Sequence, residues 1–99
     1  MERSMTKSPL AVARSALEVG EATLPRYSTA KGPQKFTQPQ LLAILVLKEF
    51  LRLDYRGIAE HLKDHSDLRA ALGLKSIPHY STLWRAEKRL LKKGAQDGY

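Results

Sequence analysis

The segment from Leu41 to Leu51 constrains this chain most, because it is apolar on nearly every side of a helix: Leu41, Leu42, Ile44, Leu45, Val46, Leu47, Phe50 and Leu51. The start of that helix is written just before it. In Thr37-Gln38-Pro39-Gln40 the Thr37 hydroxyl is placed to accept from the third helical N–H while Gln40 reaches back, a reciprocal capping box. A helix apolar all round has no solvated face, so it belongs in the middle of a bundle. The chain must therefore supply other helices to cover it.

It does so on both sides. Ser8-Pro9 reads as an N-cap followed by proline at the first helical position, and the pattern runs through Leu10, Ala13, Arg14 and Leu17 to Gly20 as C-cap. Residues 21–35 hold Pro25, Gly32 and Pro33 without sustained period and read as a linker or arm. Its Arg26, Lys31 and Lys35, around Tyr27, are read as solvated rather than as DNA contacts. Asp54 caps a helix whose Tyr55, Ile58, Ala59 and Leu62 fall at i, i+3, i+4 and i+7. Gly57 costs that helix about 1 kcal/mol relative to alanine, and is expected to admit a neighbouring helix. Ser66 is read as cap of a short helix with Leu68, Ala71 and Leu72 inward and Gly73 at its end. Leu74 to His79 contains Pro78 and reads as a turn. Ser81 is read as cap of the last helix, which runs to about Lys93 and stops at Gly94.

No strand pattern and no internal repeat is present. The expected fold is all-α, a small bundle of four to five helices with a helix-turn-helix-like C-terminal half. Residues 1–35 form an N-terminal helix plus basic linker, 36–94 the helical domain and 95–99 a short tail. Leu83 and Leu90 complete the expected core, so Leu90→Ala is expected to cost about 2–5 kcal/mol.

Ninety-nine residues suffice for one modest core. The absence of cysteine removes disulfides, thiolate metal sites and thiol nucleophiles, and suits a reducing cytoplasm. The longest apolar run, Leu41 to Leu47, is too short to span a bilayer, and no membrane partner is expected. Net charge is +7, which points to a polyanionic partner. Its distribution is uneven. Residues 1–35 and 81–99 each carry a net +3, while 36–80 are nearly neutral. All five basic residues of the last stretch lie between Arg85 and Lys93.

On the last helix Leu83, Trp84, Ala86, Leu90 and Leu91 are read as one side, and Arg85, Lys88, Arg89, Lys92 and Lys93 as the other, with Glu87 the one acid among them. In a helix-turn-helix module the first helices brace and the last enters the major groove, reading bases from its N-terminal residues and holding phosphates with its cations. Tyr55–Leu62 supplies the brace and Ser81–Lys93 the reader. The DNA-binding candidates are Ser81, Thr82, Arg85, Lys88, Arg89, Lys92 and Lys93. Arg85 is placed to make a bidentate contact to guanine, and Lys88, Lys92 and Lys93 to hold phosphates. Arg85→Ala then relaxes specificity, while Lys92→Ala weakens all sequences alike. The competing reading is the solvated face of an ordinary amphipathic helix.

Other residues read as structural. Trp84 is assigned to the core rather than to base stacking, and Tyr55 and Tyr80 are packed with wet hydroxyls. His61 and His65 lie four apart but lack the glutamate of a zinc-protease motif, so no metal site and no cofactor is expected. Asp54, Asp64 and Asp67 fall at helix ends, where capping explains them. No catalytic residue is assigned.

The strings FTQPQLLAILVLKEFLRLDYRGIAEHL, DLRAALGL and IPHYSTLWRAEKRL, with the preceding ARSALEVGEATLPRYS, resemble the N-terminal region of DDE transposases from bacterial and archaeal insertion sequences. The resemblance covers most of residues 10–92. It implies a helical region that binds the element's terminal inverted repeats and precedes an RNase-H-like domain carrying three metal-binding carboxylates. None of those carboxylates is assigned here, so the chain is expected to be truncated before the catalytic domain and not to be an enzyme by itself. The implied partners are double-stranded DNA, with a second copy or full-length transposase as protein partner, and the location is the cytoplasm, on the nucleoid. The alternative is a regulatory or protein-interaction bundle that modulates full-length transposase or meets an acidic partner.

Overall fold

The computed structural model describes residues 8–25 and 35–91 of the chain. Five helices follow in order: α1 (Pro9–Thr23), α2 (Gln38–Leu51), α3 (Tyr55–Asp64), α4 (Ser66–Leu72) and α5 (Tyr80–Leu90). Among the described residues there is no strand, so the all-α expectation holds.

Each start has a local cause. Ser8 Oγ accepts from the Ala11 N–H at 3.1 Å, and Pro9 opens α1. The α2 capping box forms as its spelling requires: Thr37 Oγ1 accepts from the Gln40 N–H at 3.1 Å, and Gln40 Oε1 accepts from the Thr37 N–H at 2.9 Å. The Gln40 side chain does more. Its Nε2 donates to the carbonyls of Leu72 and Gly73 at 3.0 and 3.1 Å, fastening the start of α2 to the end of α4. Asp54 Oδ1 accepts from the Gly57 N–H at 2.6 Å.

Two boundaries and the role of one glycine differ from expectation. α1 passes through Gly20 and ends at Thr23. Gly20 is buried where α1 crosses α2: a methyl there would meet Pro39 Cα at 2.9 Å and Pro39 Cβ at 3.1 Å. It is therefore a contact point between helices, not a terminator. Gly57 admits no neighbouring helix; a methyl at 57 would meet the capping Asp54 oxygen at 2.8 Å and Leu53 at 3.3 Å. α4 starts at Ser66, with His65 as N-cap and no side-chain capping bond.

α2 lies at the centre, with Ala43, Ile44, Leu45 and Leu47 fully buried. α1 packs along it through Ala13 and Ala16, and also meets α4. The N-terminal helix is thus part of the bundle. Ile58 and Leu62 of α3, Leu68 and Leu72 of α4, and Leu83 and Ala86 of α5 close the core. Arg69 of α4 donates from one nitrogen to the carbonyls of Leu62 and Lys63, both at 2.7 Å, satisfying the end of α3. α5 packs on α2 and α3. Among the described residues no helix is long and apolar enough to cross a membrane.

Candidate nucleic-acid interface

α5 begins two residues earlier than a Ser81 cap would set, and its cap is His79. The His79 Nδ1 accepts from the Ser81 N–H at 3.2 Å, and the Ser81 hydroxyl lies 2.8 Å from the same nitrogen. Ser81 is therefore engaged in the first turn instead of preceding it. From there the helix advances about 100° per residue. Leu83 and Ala86 are fully buried and Leu90 half-buried, so the inward direction is centred on these three. Arg85 and Lys88 point away from it and are exposed.

Trp84 corrects the expected split. It is 47% exposed, and Leu91 is 40% exposed. The arc from Ala86 round to Trp84 is too wide to fit under one contact; α2 and α3 cover its middle and leave Trp84 and Leu91 at the rim. Trp84 thus shares the outer surface with the cations, and the Lys88 Nζ sits 4.6 Å from its ring centroid. Together with Tyr55, Glu87 and Leu91 they line a shallow groove of about 320 Å³.

The one acid of α5 lines the same groove and is engaged there. Glu87 is half-buried and accepts from the Tyr55 hydroxyl at 2.5 Å, a bond that joins α5 to α3. The same bond, followed by burial, pushes the Tyr55 phenol up to about 12, since ionising it would set two anions face to face. Lys48, buried on α2, packs its ammonium 4.9 Å from the Tyr55 centroid and pairs with Glu49 at 2.8 Å.

Arg89 is exposed, but its Nε donates to the buried Gln38 side chain at 2.8 Å. It ties α5 to the first turn of α2, a role invisible in sequence because the partner lies 51 residues away. Thr82 is half-buried at the same edge. Lys92 and Lys93 lie outside the described residues. Of the seven candidates, then, Arg85 and Lys88 stand out on the exposed face, Ser81 and Thr82 sit in the first turn, and Arg89 is held sideways.

Sequence reasoning passed over Arg56. It projects from the first turn of α3, and its guanidinium carbon stands 4.5 Å from the Tyr80 ring centroid. With Lys63, His79 and Tyr80 it borders a groove of about 500 Å³ beside the start of α5. A basic residue next to Tyr55 on the brace helix was the available signal.

A family model described as Transposase domain (DUF772) matches residues 3–89. The chain belongs to this transposase-domain family. Among curated proteins and solved structures, none matches it. The paired metal ions of DDE transposases do not fit the described part of this transposase domain: no group of three or more His, Asp or Glu is placed to hold an ion. Asp54 caps α3, Glu87 is held by Tyr55 and Glu49 pairs with Lys48. His61 and His65 stack at 3.9 Å, and the His65 Nδ1 is spent on the His61 carbonyl at 2.8 Å. Burial, then the neighbouring His65, holds the His61 imidazole below its ordinary range.

Proposed function

We propose that this transposase domain binds double-stranded DNA sequence-specifically, with α5 as recognition helix and the terminal inverted repeats of its element as target. One observation carries the proposal: Arg85 and Lys88 are exposed on the outer face of α5, while its single acid, Glu87, is half-buried and engaged by Tyr55. An ordinary solvated helix face mixes signs to remain soluble. A single-sign face on a chain of net charge +7 favours a polyanion.

Arg85 lies in the second turn of α5, where a recognition helix meets base edges. Its planar fork matches the two acceptors of guanine in the major groove. Lys88, one turn on, suits a phosphate. α3 braces α5 from behind through the Tyr55–Glu87 bond, and Arg56 adds a cation beside the entry of the helix. Arg89 orients α5 on α2 through Gln38. Strand cleavage and joining form no part of what these residues do.

The test is a pair of variants on duplexes recovered by selection from a randomised pool. Arg85→Ala is expected to lose about 1–3 kcal/mol on the selected duplex and little on a scrambled one, while Lys88→Ala weakens both alike. Equal losses for both variants on both duplexes would remove Arg85 from base reading.

A further inference from the structure

Trp84 stands at the rim of the face of α5 that α2 and α3 cover. A tryptophan is the largest apolar side chain available, and its neighbours in sequence show that α5 can bury what it needs with Leu83, Ala86 and Leu90. Yet nearly half of Trp84 is exposed, beside Lys88, on the surface proposed above to meet DNA. The Lys88 ammonium, 4.6 Å from its ring centroid, keeps the ring in a positive field.

We propose that Trp84 is the apolar reader of this face, packing against thymine methyl groups in the major groove. The inference rests on the DNA-binding reading of α5. Charge selects the occupant: with Lys88 on the ring, Arg85 exposed on the same helix and Glu87 engaged by Tyr55, the surface suits a polyanion. A second copy seated there would bring its own Lys88 and Arg85 against the first pair. Chemistry then selects the group contacted. Base edges in the major groove present hydrogen-bond donors and acceptors, and the thymine 5-methyl is the one apolar feature among them. An exposed indole carbon surface has nothing else there to match.

The experiment uses the full chain, duplexes of roughly 20 bp, two helical turns, selected from a randomised pool, and copies with every thymine replaced by uracil. Uracil keeps the pairing and deletes only the methyl. Wild type is expected to bind the uracil copy about fourfold more weakly for each methyl contacted. Trp84→Ala, which should fold because the ring is half exposed, is expected to bind the thymine duplex roughly tenfold more weakly than wild type and to ignore the methyls. Trp84 is the sole tryptophan, so its emission reports the contact directly during titration. Binding that is equally tight with thymine and uracil, with unchanged emission, overturns the inference and leaves the DNA-binding reading standing. An emission shift that follows protein concentration without DNA overturns it in favour of a second copy. If no duplex is retained at any salt concentration, both readings fall together.

Discussion

Replacing Gly20 by alanine sets two effects of known size against each other. In a helix interior alanine is favoured over glycine by about 1 kcal/mol, so α1 taken alone would be stabilised. The added methyl, however, would lie 2.9 Å from Pro39 Cα and 3.1 Å from Pro39 Cβ, with Leu42 at 3.4 Å. The first of these is backbone and cannot turn aside. Pro39 sits in the first turn of α2, held by the Thr37–Gln40 box on one side and by the Gln40 bonds to Leu72 and Gly73 on the other. Either α1 moves off α2, loosening Ala13 and Ala16, or the α2 start is strained. Overpacking of this kind costs about 1–3 kcal/mol; set against the alanine gain of about 1 kcal/mol, it leaves Gly20→Ala a net loss of up to about 2 kcal/mol. For a domain of this size each kcal/mol lost lowers Tm by roughly 4–8 °C. Urea unfolding followed by helical circular dichroism measures it. Ser15, exposed on the same helix, supplies the control: Ser15→Ala should exceed Ser15→Gly by about 1 kcal/mol. Gly20→Ala more stable than wild type by the full helix gain of about 1 kcal/mol would refute the close approach of α1 to Pro39.

Three further outcomes are expected. Leu83→Ala, at a fully buried site, costs about 2–5 kcal/mol, whereas Leu90→Ala costs less than Leu83→Ala because Leu90 is half-buried; paired denaturant curves compare them. Arg52 closes α2 at φ 59° without being glycine, so Arg52→Gly should raise stability by up to about 1 kcal/mol in the same assay. Tyr55 should ionise at about pH 12 in an ultraviolet titration. Its folded value is raised, so the stability it contributes is full below pH 10 and fades as pH climbs from 10 towards 12, and Tyr55→Phe should erase that alkaline decline.

What was legible in the sequence followed from short-range chemistry. The Thr37–Gln40 box and the Ser8 and Asp54 caps need only residues within a turn of one another, and each formed as spelled; the burial of α2 did so except at Phe50, which is 43% exposed near its end. Gly20 was misread because a terminating glycine and a contact glycine look alike until the partner helix is known. His79 displaced Ser81 as cap because an imidazole nitrogen does the work of a hydroxyl there. Trp84 went to the core because hydrophobicity says what a side chain prefers and not how wide the covering helices are. The sharper features of the candidate interface are bonds of long separation. Tyr55 to Glu87 and Gln38 to Arg89 span 32 and 51 residues, and no period or motif announces them. The exposed pair Arg85 and Lys88 was legible, because two neighbouring helices suffice to bury the opposite face.

Binding of the full chain to a selected duplex across a salt series, by fluorescence anisotropy with scrambled duplex as competitor, tests the central claim most directly. With four phosphate contacts the log–log slope should lie near about −3.6, with the selected duplex preferred throughout. A slope near zero, or equal affinity for selected and scrambled duplex at every salt concentration, would contradict a sequence-specific DNA-binding role for α5.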